Sequence, residues 1–465
     1  MNMINVRRLA VMTFLGAGML SDISAQDFSL QADTLNEARL PAQWDLQSCI
    51  DYALEQNITI RKNRVTAEST QIDVKTAKAA LFPSLSFSTS QQVVNRPYQE
   101  TSSRVSGSEI ISSNSKTSYN GNYGLNASWT IYNGSKRLKT LKQERLNNQV
   151  AELDIATSEN TIKESIAQIY IQILYAAESV RVNENTLQVS IAQRDRGQEL
   201  LNAGSIAKSD FAQLEAQVST DRYQLVTAQA TLQDYKLQLK QLLELDGENE
   251  MNVYLPNLSD ENVLAPLPAK KDVYVSALAI RPEIEASKLN VDASELGIDI
   301  AKSSYFPTIS LSAGIGTNHT SGSDFTFGEQ VKNGWNNSIG LSVSVPIFNN
   351  RQTKSAVQKA RLQRETKMLS LLDEQKALYK TIESLWLDAN SAQQRYAAAN
   401  EKLRSTQISY DLISEQFNLG MKNTVELLTE KNNLLQAQQE QLQAKYMAIL
   451  NTQLLKFYQG DKLTL

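Results

Sequence analysis

One short phrase occurs twice in this chain, and the duplication limits what the chain can fold into. The phrase reads KAALFPSLSFS over residues 78–88 and KSSYFPTISLS over residues 302–312. Aligning Pro83 with Pro307 gives an offset of 224 residues (307 − 83), and apolar residues then fall on apolar residues on both sides of the proline. Farther along, LNASWTIYNG and LSVSVPIFNN align with an offset of 216, because the first copy has 8 more residues in a polar loop. The chain therefore contains one structural module twice.

Within each module the hydrophobic periodicity changes from helical to alternating and back to helical. The first repeat, residues 26–245, is predicted to contain a helix over 46–81, strands over about 82–93 and 119–131, a long helix over 135–203 and a return helix over 207–245. The second repeat, residues 276–458, is predicted to contain the same elements over 276–304, 305–317, 335–347, 351–419 and 423–458. The polar segments that connect the strands, residues 95–118 and 317–334, are predicted to be loops. A linker over 246–275, rich in proline, separates the repeats, and residues 459–465 form a tail.

The two long helices constrain the architecture most. Apolar residues from Ile155 to Val180 recur at heptad spacing, and the second repeat has its counterpart from Leu371 to Leu385. A helix of about 70 residues is about 100 Å long. Helices of this length cannot fold into one globule, so we expect antiparallel helical hairpins that reverse at Gly204 and Gly420. A glycine suits both positions because a tight reversal requires a positive φ.

The N-terminus predicts export. Arg7 and Arg8 precede an apolar stretch, and small residues follow it up to Ala25, so residues 1–25 are predicted to be a signal peptide. No later stretch approaches the length of apolar sequence that a membrane helix needs. The only cysteine, Cys49, has no partner for an intramolecular disulfide and is expected to pack in a helix. Because 46 basic residues balance 50 acidic ones, nothing indicates a nucleic-acid partner.

The predicted strands alternate apolar and polar residues and have aromatic residues near their ends. Such strands suit a membrane barrel with one face toward lipid and one toward water, and tilted strands of about 9–11 residues span a membrane. The alternative is a soluble four-stranded sheet packed on a helix. Four strands cannot close a barrel, and open edges are not tolerated in lipid. If these strands lie in a membrane, several copies of the chain must combine them.

Several motifs in this order resemble those of the TolC-like outer-membrane efflux proteins, over roughly residues 43–460. They are the opening WDLQSCIDYALEQN, the strand starts FPSLSFS and FPTISLS, the strand exits SWTIYNGSKR and SVPIFNNRQT, and the hairpin tips LLNAGSIAKSDFAQLEAQV and QFNLGMKNTVELLTEKNNL. The resemblance implies a mainly α fold with a membrane β-barrel part. It implies a homotrimer with a shared twelve-stranded β-barrel in the outer membrane and an α-barrel in the periplasm.

The resemblance also implies a function and partners. The chain would be the passive exit duct of a tripartite efflux or type I secretion system, joined through a periplasmic adaptor to an inner-membrane pump of RND or ABC type. A periplasmic coiled-coil scaffold or adaptor without a pore is the alternative, although the lipoyl-like β segments usual in adaptors are absent from this sequence. A secreted enzyme with a helical lid is a third class.

The resemblance further assigns roles to residues at the hairpin tips. Asp210, Phe417, Lys422 and Glu426 occupy the positions of the family's periplasmic gate. Gly204 and Gly420 mark the tips that contact the adaptor. Thr429 stands where a second acidic residue of the family's constriction ring is expected, so a weaker ring is predicted. Three prolines mark the joints between helices and strands: Pro83, Pro307 and Pro346.

The sequence offers little for catalysis. The only histidine, His319, lies among Gly, Asn, Ser and Thr, so neither a metal site built on histidine pairs nor a Ser-His-Asp triad is expected. No Gly-rich phosphate loop is present. We therefore predict that the chain is not an enzyme and binds neither a cofactor nor a metal.

Overall fold

The computed structural model describes residues 41–98, 102–106, 109–113, 116–246, 251–256, 263–321, 323 and 325–464. These residues divide into two units. In the small unit, Trp44 and Val253 form a parallel β-bridge. The large unit comprises the rest of the described chain. The predicted signal peptide, residues 1–25, lies outside the described residues, as do 247–250 and 257–262 of the predicted linker.

The elements of the large unit repeat in the same order except between the paired strands, where the first half has a small hairpin and the second a short helix. Those of the first half are α1 (Leu46–Gln56), α2 (Ile58–Ala79), β1 (Ser84–Asn95), β2 (Ser102–Ser106), β3 (Glu109–Ser113), β4 (Thr117–Asn133), α3 (Lys136–Asn202) and α4 (Lys208–Leu242). Those of the second half are α5 (Lys270–Ile280), α6 (Pro282–Ser303), β5 (Thr308–Thr320), α7 (Phe327–Asn333), β6 (Asn336–Ser344), α8 (Gln352–Asn418) and α9 (Thr424–Gln459). The mainly helical fold with a small sheet confirms the predicted fold class.

The long helices form two hairpins. Helix α3 packs along α4, and α8 packs along α9. Both long helices have 67 residues, which corresponds to about 100 Å of α-helix. Neither contains proline, and their apolar residues at heptad spacing form buried seams that include Ile166, Ile173 and Ile382. Within the described residues, no helix is both long enough and apolar enough to cross a membrane.

The prediction of one helix over 46–81 is wrong. Two helices, α1 and α2, meet at Asn57. The buried Asn57 side chain accepts a hydrogen bond from the Thr59 amide at 2.9 Å and donates to the Leu242 carbonyl at 3.0 Å. Asparagine competes with helical hydrogen bonding and is a strong N-cap. The cap therefore ends one helix and starts the next.

The single helix predicted over 276–304 is also wrong. Helix α5 begins at Lys270, inside the predicted linker, and a second helix, α6, begins at Pro282. Proline has no amide hydrogen to donate and its ring clashes with the preceding turn, so it starts a helix more readily than it continues one. The described part of the linker before Lys270 contacts α8, since Gln393 Nε2 donates to the carbonyls of Val263 and Ala265 at 2.9 and 2.8 Å.

The loops expected over 95–118 and 317–334 contain regular structure. Strands β2 and β3 pair as an antiparallel hairpin inside the first loop. In the second, β5 continues to Thr320 and is followed by α7, whose start is a capping box between Thr326 and Glu329. Polar composition indicated loops in both segments. The capping box and the strand pairing instead provide hydrogen bonds to backbone groups that would bind water in a loop.

Four strands form one antiparallel sheet in the order β1-β4-β5-β6. The register places apolar residues of neighbouring strands side by side: Phe87 faces Leu125, and Leu125 faces Ile315. Because side chains alternate between the two faces of a sheet, one face is mostly apolar, with Thr89 and Asn337 among its polar exceptions. Among the described residues much of that face is exposed, and Ile339 on β6 is 83% exposed. Among the described strands, β1 pairs only with β4 and β6 only with β5.

Each strand-to-helix joint contains two consecutive residues with positive φ. They are Gly134 and Ser135 before α3, and Asn350 and Arg351 before α8. A Cβ on Gly134 would lie 2.6 Å from the Ser303 carbonyl oxygen, so only glycine fits there. Pro83 and Pro307 lie directly before β1 and β5, and Pro346 lies between β6 and α8. These backbone conformations turn the chain from sheet to helix.

A hydrophobic core lies where α5, α6, α8 and α9 meet. Its buried residues are Val273, Ala277, Ile284, Leu378, Ile382, Ala389, Leu455 and Tyr458. Beside it, buried Arg281 binds Glu164 of α3 at 3.0 Å, and its guanidinium carbon lies 3.6 Å from the Tyr458 ring centroid. We call Arg281, Glu164 and Tyr458 the arginine clamp. The clamp ties the short helix α6 to both hairpins.

Candidate functional site at the hairpin tips

Both hairpins reverse direction in the same way. At the first tip the Ser205 amide donates to the Leu200 carbonyl at 2.8 Å, and at the second the Met421 amide donates to the Gln416 carbonyl at 2.8 Å. These are the long hydrogen bonds of a Schellman motif, which requires a left-handed residue after the helix. Gly204 and Gly420 supply it, each with φ of 75°.

Alanine at either tip glycine is expected to destabilise the protein by about 1–2 kcal/mol. A Cβ at Gly204 or Gly420 would meet no atom within 4 Å, so the cost comes from the backbone alone. Gly328 in α7 is the matched control, because it also has open space but no positive φ. There alanine is expected to be neutral or to stabilise by about 0.4–1 kcal/mol. Urea unfolding of the purified protein measures the change in stability of each variant. Equal effects at Gly420 and Gly328 would contradict the role of the left-handed backbone at the tips.

Three polar residues organise the start of α9. Asn423 Oδ1 accepts from the Glu426 amide at 2.9 Å, and Glu426 Oε2 accepts from the Asn423 amide at 3.2 Å. This reciprocal pair is a capping box. The other carboxylate oxygen of Glu426 binds Lys422 Nζ at 2.6 Å. The Lys422 ammonium, followed by the Asn423 amide, holds the pKa of Glu426 below its ordinary value. Glu426 thus remains an anion at the pH values at which ordinary glutamates begin to protonate.

Asp210 has the corresponding place in the first hairpin. Its carboxylate accepts from the Ala207 amide at 3.3 Å at the start of α4. Within one chain, therefore, the structure brings Lys422 to Glu426 and leaves Asp210 on the other tip, bound to its own helix. An anionic side chain in the first turn of a helix is favourable because the helix dipole is positive there.

Phe417 lies in a small apolar core above the tips. With Leu214 and Leu427 it forms a buried cluster, and Leu200, Tyr410, Ile413 and Leu428 pack around it. We call this group the tip cluster. Its members come from all four hairpin helices, so the cluster joins the first hairpin to the second. Phe417 is only 2% exposed, and its side chain packs within the chain.

Polar contacts also join the two hairpins near the tips. Gln193 Nε2 on α3 donates to the Tyr410 hydroxyl on α8 at 2.8 Å, and Arg196 donates to the Asn418 carbonyl at 3.4 Å. Sequence reasoning missed these residues. Polar side chains of long helices are usually solvated, and nothing in their spacing separates a contact between hairpins from a solvated face.

Sequence reasoning also missed a buried ionic group farther from the tips. Lys431 on α9 binds the Asp221 carboxylate on α4 and the Ser190 hydroxyl on α3, and Ser190 also donates to Asp221. Gln217 Nε2 donates to the second carboxylate oxygen of Asp221 at 2.8 Å. Lys431 and Asp221 side chains are each 3% exposed. The available signal was weak: Asp221 and Lys431 follow buried apolar residues of α4 and α9, Val218 and Leu427, at helical spacing.

His319 packs in the strand region. Its ring stacks on Tyr123 and meets Phe327 edge-on, with centroids 5.9 and 5.0 Å apart. In the described part of the chain, no three histidine, cysteine, aspartate or glutamate side chains are grouped so as to hold a metal ion.

Comparison with known proteins agrees with this architecture. The family model described as "Outer membrane efflux protein" matches residues 49–244 and 273–460. The chain belongs to the outer membrane efflux protein family. The two matched segments fall on the two repeats and leave out the linker between them. Family membership thus covers the hairpins, the strands and both tips.

Several members of the outer membrane efflux protein family resemble the chain at low identity. The outer membrane efflux protein BepC of Brucella suis biovar 1 (strain 1330) is 25% identical over 294 residues, which cover 63% of this chain and 61% of BepC. Outer membrane protein TolC of Escherichia coli (strain K12) is 24% identical over 341 residues, which cover 70% of this chain and 66% of TolC. The chain therefore spans slightly under two thirds of the length of each.

Solved structures show the same fold. The crystal structure of CusC superimposes with a TM-score of 0.76 at 19% identity, covering 90% of this chain and 93% of CusC. At this identity the likeness concerns the fold. The outer membrane efflux family therefore supplies the architecture, and the chain's own residues supply the contacts at the tips.

Proposed function

We propose that this protein is an outer-membrane exit duct of a tripartite efflux or type I secretion system. It conducts substrates passively from a periplasmic adaptor and an inner-membrane pump to the outside. The observation that carries the proposal is a sheet with one mostly apolar, exposed face and two edges that have no partner among the described strands, attached to two long helical hairpins. Transport through such a duct needs no covalent step, so no catalytic role is proposed.

The sheet supports a trimer. An apolar sheet face left bare in water would favour aggregation, and open edges are excluded from lipid. Closing β1 of one copy on β6 of the next satisfies both edges and turns the apolar face toward lipid. Three copies supply twelve strands, and the six hairpins would continue the barrel as a helical tube in the periplasm. The protein would therefore lie in the outer membrane with a large periplasmic part.

The tips support a gate at the periplasmic entrance. Asp210, Lys422 and Glu426 are polar or charged residues beside the turns, and Phe417 anchors one hairpin on the other through the tip cluster. In the closed state of the proposed trimer, Lys422 would release Glu426 of its own chain and pair with Asp210 of a neighbouring copy. Exposed pairs of this kind contribute about 0–1 kcal/mol each. Gly204 and Gly420 would face the adaptor.

Substituting the apolar sheet face tests the proposal. Ile339→Asp is expected to reduce outer-membrane assembly strongly, because a charge toward lipid is costly, whereas Ser338→Asp on the opposite face of β6 is expected to assemble. Assembly is measured by membrane fractionation, by gels of unboiled and boiled samples, and by conductance in planar bilayers. The wild-type chain is expected to run unboiled as an oligomer of 51.8 kDa subunits and to conduct. A monomeric protein that is silent in bilayers would rule out the duct.

A further inference from the structure

The ionic group formed by Ser190, Asp221 and Lys431 is placed unusually for a coiled coil. Seams between long helices are normally filled by apolar residues, yet here a lysine and a carboxylate are almost completely buried. Burial alone, the largest influence, lowers the pKa of Lys431, and the Asp221 carboxylate opposes that shift. The Asp221 carboxylate therefore stabilises the Lys431 ammonium in the buried seam.

Buried ion pairs seldom add stability over well-packed apolar residues, because desolvation offsets their attraction. Their effect is instead asymmetric. A helix that slides along an apolar seam loses contacts gradually, whereas a helix that slides away from a buried ion pair leaves a charge without a partner. The pair therefore favours two arrangements of the helices. In one the charges are paired and buried, and in the other both charges reach water. This is the behaviour of a two-state element.

The position of the group connects it to the tips. Lys431 lies 11 residues after Gly420, and Asp221 lies 17 residues after Gly204. These separations correspond to about 16–26 Å of helix. The tip cluster lies between, with Leu427 on the same helix as Lys431 and Leu214 on the same helix as Asp221. Because the connecting segments are continuous helix, a shift of α9 against α4 at the ionic group must also shift the tips.

We propose that Ser190, Asp221 and Lys431 form a latch that holds the second hairpin against the first, and that the duct opens only when Lys431 parts from Asp221. The inference rests on the proposed function. The latch joins helices of one chain and is separate from Asp210, Lys422 and Glu426. The latch therefore holds each protomer closed by itself, and the proposed contacts between protomers add to this closure.

Variants that remove one charge are expected to open the duct. Lys431→Met leaves the Asp221 carboxylate buried without its cation, and Asp221→Leu leaves the ammonium without its anion. Either change is expected to raise the open probability in planar bilayers about tenfold or more. The double variant K431M/D221L leaves no charge without a partner and is expected to open less often than either single variant. Samples are matched by the amount of unboiled oligomer. Single variants that form oligomers and stay closed would overturn the latch.

Cross-linking tests the same motion in a chain that keeps Ser190, Asp221 and Lys431, although it loses the hydrogen bond from Gln217 to Asp221. Gln217 on α4 and Asn432 on α9 are in contact at 3.5 Å beside the ion pair. Asn432 is exposed and Gln217 is half-buried. The variant Q217C/N432C, bridged by a short bis-maleimide in the native host with its chromosomal copy replaced, is expected to lose efflux. The matched control K402C/E440C bridges α8 and α9 of one hairpin, which contact at 2.7 Å, and is expected to retain efflux. Cys49 is buried, and its burial raises the pKa of its thiol to about 12, so the reagent acts on the introduced cysteines.

The outcomes separate the latch from the proposed function. Loss of efflux in the bridged Q217C/N432C chain alone supports the latch, even if the single-charge variants fail to assemble. Undiminished efflux in that chain overturns the latch and leaves the duct intact. A wild-type chain that neither conducts nor supports efflux contradicts the duct itself, and the latch with it.

Discussion

Replacing Arg281 with methionine is expected to lower the free energy of unfolding by about 3–5 kcal/mol. Methionine fills part of the space but leaves the Glu164 carboxylate, 3.0 Å from the guanidinium in the wild type, without its cation. The planar contact with Tyr458 is lost as well. The arginine clamp joins α3, α6 and α9, so its loss is expected to loosen the contact between the two hairpins. Urea unfolding of the purified protein measures the difference.

The pH dependence of the stability lost in Arg281→Met identifies the cause of that loss. Burial, the largest influence, raises the pKa of Glu164 above its ordinary value of 4.5, and Arg281 opposes the rise. Without Arg281 the pKa rises further. A carboxyl with a raised pKa in the folded state binds protons more tightly there, so stability falls as pH rises from 4.5 through the raised pKa. The deficit of Arg281→Met is therefore expected to be largest at neutral pH and to shrink toward pH 4.5.

Two control variants sharpen this expectation. Arg281→Lys keeps the charge but lacks the planar group that stacks on the Tyr458 ring, so an intermediate loss is expected. The double variant R281M/E164M removes both charges and is expected to recover much of the stability. A deficit that is independent of pH, or a double variant no more stable than R281M, would contradict the role of the buried ion pair.

Replacing Phe417 with alanine is expected to cost about 3–5 kcal/mol of local stability at the tips. Phe417 is one of three buried members of the tip cluster, so the cavity would adjoin both Leu214 and Leu427. Hydrogen exchange of the amides between residues 410 and 430 is expected to accelerate, because local opening would cost less free energy. If the cluster also holds the proposed gate, the same variant is expected to conduct more than the wild type in planar bilayers.

Leu419→Ala is the matched control for Phe417. Leu419 lies two residues along the same tip but is 69% exposed. Its truncation creates no cavity and is expected to change stability by less than about 0.5 kcal/mol. Similar exchange rates in the two variants would show that the tip cluster does not stabilise the hairpin tips.

The helices and strands follow from local rules, whereas one of the two helix breaks does not. Heptad spacing without proline indicates a long helix at any position in a protein, and alternation beside a Phe-Pro pair indicates a strand start. The break at Asn57 depends on the Leu242 carbonyl, which lies 185 residues away in sequence. The break before Pro282 carried a local signal, since proline rarely continues a helix. Buried Arg281 beside it depends on Glu164 and Tyr458, which no local pattern connects to it.

The candidate site divides in the same way. Gly204 and Gly420 could be predicted because a helix reversal requires a left-handed residue, and each appears between two periodic runs. The burial of Phe417 depends on Leu214 and Leu427, one of which is on the other hairpin. Lys422 precedes α9, so its contact with Glu426 depends on the capping box of Asn423 and Glu426, which fixes where the helix begins.

By itself the sequence determined that one module occurs twice, that each module has a hairpin of long helices and two amphipathic strands, and that four strands are too few to close a barrel. Periodicity and the conformational limits of glycine and proline are properties of short segments, so these conclusions need no knowledge of the fold. Only the tertiary structure decided that Lys431 meets Asp221 and that Arg281 meets Glu164. Both are pairs of charges more than a hundred residues apart, and in sequence each charge looks like an ordinary solvated residue. What distinguishes them is burial, which depends on how the hairpins pack.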